Sequence, residues 1–424
     1  MKSFDAIRTL LLEQREEIKS LDLGTEREKL AEISHYNNTP FPVVISGIRR
    51  SGKSTLLAQL AHKFYPSNDY FYVNFEDDRF INFTLSDFTK LHELLIELFG
   101  NKKTFLLDEI QNVPGWEVFV NRMLRSNYKF YLTGSKASLL SKELGTKLTG
   151  RYVPVELFPF SFAEYLRFRK MPLPNIGRLT TVQRGELKNA LSDYLKKGGI
   201  PQALQYPKLP IYKTLYNDII DRDIGARYKI ADTKPLRELT LYLLSNIASL
   251  ISYNKLKELL MLGSVNTVIS YIEYLEASWL LLVITRYAFS VKKQQIANKK
   301  VYCIDTGFPK AVAFSFSEER GKFLENTVFL KLRRFYNEGI YYYKTKKDKE
   351  VDFYLPKKKA FIQVCQSIHD QATRERETSA LGEAMAEVGE STGYIVTEDE
   401  KESLSLGNKI INVIPIYEWL LSNT

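Results

Sequence analysis

"VVISGIRRSGKSTLL", residues 43–57, sets an apolar run against a loop of glycines and arginines and then restarts on a helical pattern. Gly47, Gly52, Lys53 and Ser54 fit G-x-x-x-x-G-K-[ST] between a predicted strand and a predicted helix, the context that separates a phosphate-binding loop from a chance match. Glycines let the backbone turn its N–H groups inward, and the helix N-terminus adds positive potential. Lys53 can then reach the terminal phosphates and Ser54 can ligate magnesium. The run Gly47, Ile48, Arg49, Arg50, Ser51, Gly52, Lys53, Ser54 and Thr55 is therefore expected to hold a nucleoside triphosphate with Mg2+.

Working outward, strand-like and helical patterns alternate from residue 42 to about 157. "PVVIS" precedes a helix over 53–64, "YFYVNF" one over 86–99 and "KTFLLD" one over 116–126; "KFYLTG" and "YVPVEL" follow. Such alternation builds a mainly parallel sheet covered by helices, with its ligand crevice at the carboxyl ends of the strands. Residues 3–34 carry apolar positions at three- and four-residue steps, the pattern of one or two amphipathic helices ahead of the sheet.

The strand in "TFLLDEIQ" ends on Asp108 and Glu109, about fifty residues after the loop. Asp108 is expected to hold the magnesium through water, and Glu109 to orient and deprotonate an attacking water. That second role favours hydrolysis over transfer to a small acceptor. Thr133, near the end of the next strand, is either a sensor of the γ-phosphate or a turn former. Arg151 in "LTGRY" either reaches a neighbouring subunit's nucleotide in a homo-oligomer or is a surface arginine. Asn74, ending "YFYVN", is a candidate partner for Glu109.

The chain has 424 residues, more than one core usually supports, and three domains are expected: 1–165, 166–300 and 301–424. Lys and Arg outnumber Asp and Glu by 60 to 50, a net charge of +10 that favours polyanions without selecting one. Two cysteines, Cys303 and Cys365, and four histidines lie far apart, which excludes a disulfide framework and a zinc module. The charged N-terminus lacks a signal-peptide core, and "WLLLVI" is too short to span a bilayer, so a cytoplasmic protein without membrane insertion is expected.

Residues 160–300 are helical in pattern and rich in Leu, Tyr and Lys, and from about 301 short strands return in "VYCID", "IYYYK", "EVDFYL" and "AFIQVC". Within 252–284 lie a short helix, a turn at Gly263 and a second helix from Ser264 with Val265, Val268, Ile272 and Leu275 on one side and Asn266, Thr267 and Ser270 on the other. The segment that follows reads as two strands around a basic tip with Lys292, Lys293, Lys299 and Lys300. Together these make a winged helix over about 236–300, fitted either to duplex DNA or to packing against protein.

With "GIRRSGKST", "LLDEIQNVPGWE", "YLTGSKASLLSKEL", "LTGRY" and "ELFPFSFAEYL" in this order, the first part resembles the prokaryotic AAA+-type ATPase family whose phosphate loop carries paired arginines, here Arg49 and Arg50. "YLKKGGIPQAL", "DIIDRDIGARYKI", "SVNTVISYIEYLEASWLL" and "KKVYCIDTGF" resemble its middle region, and "ENTVFLKLRR" with "EVDFYL" its C-terminal domain of restriction-endonuclease type. The resemblance implies an α/β P-loop NTPase core of strand order 5-1-4-3-2, helices with a winged helix, and an α+β endonuclease-like domain. It also implies ATP as the nucleotide. A magnesium nuclease of that type needs a helical Glu, a strand Asp and an acidic-x-Lys pair. Glu325 and Asp352 fit the first two, but Gln363 stands where the acid would be and Cys365 where the lysine would be. Cleavage is accordingly expected to be lost, with Lys344 or Lys346 as substitutes left open.

The reading that emerges is an ATP-hydrolysing AAA+-type protein whose nucleotide state moves a winged-helix and nuclease-like module on DNA. Two alternatives stay open: a nucleotide-gated scaffold for a protein partner, and an active metal nuclease.

Overall fold

Val43, Val44 and Ile45 are wholly buried because strand β1 (Val43–Ser46) runs inside a parallel sheet covered on both faces. The computed structural model describes residues 4–135, 148, 150–313 and 320–422, and it divides into two units, Met1–Phe160 and Ser161–Thr424. In the first unit β2 (Phe71–Asn74), β3 (Thr104–Asp108), β4 (Lys129–Gly134) and β5 (Val153–Glu156) join β1 in the order β5-β1-β4-β3-β2, the order that the resemblance implies. Side chains alternate across the pleat. Val44, Phe71, Phe105 and Phe130 pack beneath the helices Phe4–Ser20, Asp87–Phe99 and Trp116–Leu124, while Ile45, Tyr72, Leu106 and Tyr131 pack beneath Lys53–Phe64.

A sheet edge exposes unpaired N–H and C=O groups, and here the first helix covers them. Buried Gln14 donates from Nε2 to Asn74 O at 2.9 Å and accepts from Asn74 N–H at 3.0 Å, mimicking a sixth strand beside β2. Arg15 adds bonds to Tyr70 O and Asn68 O, each at 2.7 Å.

The second unit starts on a capping box, in which Ser161 accepts from Glu164 N–H and the Glu164 carboxylate accepts from Ser161 N–H. Helices follow to residue 245, and then β6 (Ser249–Ile251), β7 (Leu281–Ile284) and β8 (Lys299–Cys303) form an antiparallel sheet of order β6-β8-β7. Between β6 and β7 lie the helices Tyr253–Leu259 and Val265–Ala277; Val268, Ile272 and Leu275 are buried as their spacing requires.

The basic tip needs correction. Its middle is a short helix, Val291–Ile296, and of its four lysines only Lys292 and Lys293 are exposed. Lys299 bends back onto Gln294 O and Gln295 O at the end of that helix, and Lys300 is buried, 2% exposed. Strand β8 runs through residue 300, and the two compact units divide between residues 160 and 161.

Beyond it β9 (Tyr341–Lys344), β10 (Glu350–Leu355), β11 (Ala360–Val364), β12 (Thr392–Thr397), β13 (Glu402–Leu406) and β14 (Lys409–Pro415) form a mixed sheet of order β13-β14-β12-β11-β10-β9. The helix Gln371–Val388 packs Leu381 and Met385 onto Phe361, Ile395 and Ile411, and Phe329 of the helix Arg320–Tyr336 stacks on Tyr302 at 4.0 Å. The two glycine motifs of the second unit meet at Asp305. Its carboxylate accepts from Gly199 N–H at 2.6 Å, Gly307 N–H at 2.8 Å and the Tyr212 hydroxyl at 2.7 Å.

Candidate nucleotide site and acid cluster

The loop after β1 turns back tightly because Gly47 passes against the backbone that follows β5. A Cβ on Gly47 would stand 2.1 Å from Leu157 O, and Leu157 N–H bonds Ser46 O at 2.7 Å. Arg50 and Gly52 take left-handed conformations, with φ of 63° and 91°, before the helix Lys53–Phe64 begins. Buried Arg27 braces the loop from below, donating to Ser51 O and Phe158 O at 2.6 Å each.

Lys53 points into this cradle. Its ammonium bonds Gly47 O at 3.2 Å and Ile48 O at 3.3 Å, and lies 3.4 Å from Glu109 Oε1. Glu109 sits in the left-handed region with φ of 50°, a conformation uncommon outside glycine that swings its carboxylate back over the loop. Its N–H donates to Thr133 Oγ1 at 3.1 Å, and its Oε2 accepts from Ser135 N–H at 3.2 Å and from the Gln111 amide. Burial pushes the Glu109 carboxyl up, but Lys53, the Gln111 bond and Arg49 outweigh it and hold the group below its ordinary value. Asp108 is wholly buried and accepts from the hydroxyls of Ser54 and Thr133 and from Tyr72 OH at 3.5 Å; burial and the adjacent Glu109 push its carboxyl up.

The loop residues, Lys53, Ser54, Asp108, Glu109 and Thr133 thus converge at the carboxyl ends of β1, β3 and β4. Asn74 does not reach Glu109. Its side chain accepts from Glu76 N–H at 2.9 Å, and Gln111, two residues beyond Glu109 in a 3-10 turn, holds the carboxylate instead. Arg151 is exposed ahead of β5, and Arg49 lies 3.6 Å from Glu76. Residues 136–147 and Thr149, which carry much of "YLTGSKASLLSKEL" and part of "LTGRY", lie outside the described residues.

This cradle fits a triphosphate and its magnesium on the chain's own evidence. The Ser51 hydroxyl is buried in the loop with no bonding partner among the described residues, Lys53 rests on carbonyls that a phosphate would outcompete, and Ser54 and Asp108 already share a bond.

In the second unit Glu325 and Asp352 also come together, around the ammonium of Lys300. It lies 2.7 Å from Glu325 Oε1 and 2.8 Å each from Asp352 Oδ1 and Glu350 Oε1. Strand β10 shifts register against β9 between Val351 and Tyr354, a bulge beside Asp352. Asp352 Oδ2 accepts from Val364 N–H at 2.9 Å, and Gln363 is not aimed at the cluster as a ligand, since its Oε1 accepts from Asp352 N–H at 3.1 Å. Burial and Asp352 push the Glu325 carboxyl up to about 8, against the Lys300 ammonium and the Tyr302 hydroxyl. Cys365 is buried and its thiol pushed far up, which leaves it neutral. As it stands the cluster does not fit a divalent metal, because the Lys300 ammonium fills its centre. Lys344 pairs with Asp348 at 3.0 Å.

Of the DNA candidates, Asn266 is exposed, while Thr267 is half-buried and its N–H bonds the capping Ser264 hydroxyl at 3.1 Å. Among the described residues no helix is long and apolar enough to cross a membrane.

A phosphate loop of this geometry, closed by paired acids on a parallel sheet, defines a nucleotide-binding ATPase domain of the P-loop class, and the AAA domain family matches residues 39–166. Two domains of unknown function, DUF8612 and DUF4143, match residues 188–319 and 320–419. The uncharacterized protein MJ1544 of Methanocaldococcus jannaschii is 33% identical over 399 residues, 89% of this chain and 88% of that protein. An uncharacterized Haemophilus influenzae protein is 32% identical over 340 residues, 76% of this chain and 82% of its own length. The chain belongs to the family of the M. jannaschii protein, and its own residues 39–166 carry the AAA-type ATPase domain. Among solved structures, a Walker-type ATPase of Pyrococcus abyssi is similar at 16% identity with a TM-score of 0.41, over 70% of this chain and 99% of that one.

Proposed function

We propose that the protein is a magnesium-dependent ATPase of AAA type whose nucleotide state is transmitted to a DNA-binding winged-helix region, residues of about 236–300, and an endonuclease-like domain that no longer cleaves. The observation that carries this reading is the facing pair of Lys53 and Glu109, 3.4 Å apart over the glycine loop. Lys53 would leave its carbonyls for the β- and γ-phosphates, and Glu109, freed of that ion pair, would orient a water and accept its proton. Ser54 and Asp108 would hold Mg2+, which supplies charge neutralisation to the phosphates. Thr133 ties Asp108 to the Glu109 backbone and would keep both in register with the nucleotide. Arg151, exposed, is assigned to a neighbouring copy's nucleotide.

The test is ATP turnover by wild type, Lys53→Ala and Glu109→Gln, with and without duplex DNA. Lys53→Ala is expected to lose nucleotide affinity. Glu109→Gln should keep it and lose about 10²–10⁴-fold in turnover. Wild-type turnover no faster than Lys53→Ala under every condition sinks the enzyme reading.

A second reading, a nucleotide-gated scaffold, draws on the segment around Lys292 and Lys293, where Phe289, Val291 and Ile296 are 81%, 70% and 76% exposed. Apolar side chains so displayed suit a protein partner. Salt separates the two: duplex affinity should fall steeply with ionic strength if those lysines displace counterions, and absence of duplex binding at low salt favours the scaffold. Plasmid nicking in Mg2+ or Mn2+ that Asp352→Ala abolishes would restore the nuclease.

A further inference from the structure

The ammonium in the acid cluster comes from a different sheet. Lys300 lies on β8, whereas Glu325 lies on the helix Arg320–Tyr336 and Glu350 and Asp352 on β10. Acids gathered in an apolar surround need a cation, and hard divalent ions are a usual answer. Here every proton of one ammonium meets an oxygen of an acid side chain, at 2.7, 2.8 and 2.8 Å, in a side chain only 2% exposed. The acids are held from outside as well. Tyr302 OH donates to Glu325 Oε1 at 2.7 Å and Val364 N–H to Asp352 Oδ2 at 2.9 Å. Nor is Lys300 free to withdraw, since its backbone is paired on both sides, with Leu250 of β6 and Ile284 of β7.

We propose that Lys300 is the permanent cation of this cluster, an internal replacement for a divalent metal that keeps the C-terminal sheet from binding metal and hydrolysing phosphodiesters while fastening β8 to it. The proposal goes beyond the ATPase reading and rests on the second unit alone, so it stands or falls separately from turnover in the first. It differs from loss of activity through the missing acid and lysine at Gln363 and Cys365, because it makes metal exclusion depend on one removable side chain.

The test uses the nucleotide-free full chain as wild type, Asp352→Asn, Lys300→Met and Lys300→Met/Asp352→Asn. Melting is followed in EDTA and in rising Mn2+, and bound Mn2+ is counted by paramagnetic resonance. Wild type and Asp352→Asn should bind equal Mn2+. Lys300→Met leaves buried acids without their counterion, so in EDTA it should melt lower by on the order of 10 °C. It should take up one further Mn2+ per chain and regain at least half of the lost melting temperature. Lys300→Met/Asp352→Asn should regain none. A Mn2+ ion bound by wild type and lost in Asp352→Asn overturns the proposal, because ammonium and metal would then share the site. So does a folded Lys300→Met indifferent to Mn2+. If Lys300→Met does not accumulate, Lys300→Met/Glu325→Gln, in which one acid leaves with the ammonium, carries the same test, and its failure to take up Mn2+ counts equally against it.

Discussion

Gly47 shows how one missing methyl group sets the nucleotide site. An alanine there would put its Cβ 2.1 Å from Leu157 O, a backbone atom anchored through its own N–H to Ser46, so the loop and not a side chain must move. Gly47→Ala is expected to cost about 1–3 kcal/mol of first-unit stability and to weaken ATP binding by at least tenfold. Calorimetric titration and urea unfolding check it, and unchanged ATP affinity would mean that the close approach is not needed. The glycines, Lys53 and Ser54 are legible in the sequence because their chemistry is contiguous: one loop, one spacing, one flanking strand and helix. Gln111 lies only two residues from Glu109, yet its role is not legible, since only the left-handed turn at Glu109 decides which amide the carboxylate meets. Lys300 is illegible for a related reason. Beside Lys299 it looks like part of a basic tip, and its partners lie 50 and 52 residues further on, at Glu350 and Asp352.

Elements were more legible than contacts. The helix expected over 53–64 spans Lys53–Phe64, and the strands of the first unit fall on the short apolar runs between helical patterns, because a strand buried on both faces is a continuous apolar run and so a local property. What periodicity cannot give is how an element ends the sheet. The helix Phe4–Ser20 reads as an amphipathic packing element, but Gln14 within it does a strand's work, exchanging two hydrogen bonds with Asn74 at the edge of β2. A polar residue on an apolar face carries no local mark of such a partner 60 positions away. Replacing it with leucine keeps the volume and strands a donor and an acceptor on Asn74. Gln14→Leu should destabilise the first unit by about 1–3 kcal/mol in urea and speed amide exchange at Asn74 more than at Val73. Equal protection at both amides would show that the edge is satisfied in another way. The segment between β7 and β8 is the least legible, since the helix Val291–Ile296 is a short apolar–basic run that fits a strand tip equally well on composition.

At the scale of the molecule, several buried acids of the second unit share one sign of response to pH. Asp305 is 3% exposed, and burial lifts its carboxyl from an ordinary 3.8 to about 6, although the N–H groups of Gly307 and Gly199, the Tyr212 hydroxyl and Arg334 all favour its charge. Glu276 is raised to about 7 and Glu325 to about 8, burial again leading. A carboxyl whose folded value lies above its unfolded one binds its proton more tightly in the fold. Its stabilisation is complete below about pH 4 and is lost as pH rises through the folded value. For Asp305 the interval corresponds to about 3 kcal/mol. The second unit is therefore expected to resist urea better at pH 5 than at pH 7.5. Of the three tryptophans, Trp279 and Trp419 lie in the second unit, so a Trp116→Phe background reports on that unit alone. In that background Asp305→Asn should be weaker at every pH, because an amide NH2 must face the donors that the carboxylate accepts. Its decline from pH 5 to 7.5 should nonetheless be shallower than wild type by about 1–2 kcal/mol, the share of the interval left above pH 5. Parallel curves for the two proteins would show that Asp305 keeps its charge throughout, with the glycine N–H groups and Arg334 outweighing its burial.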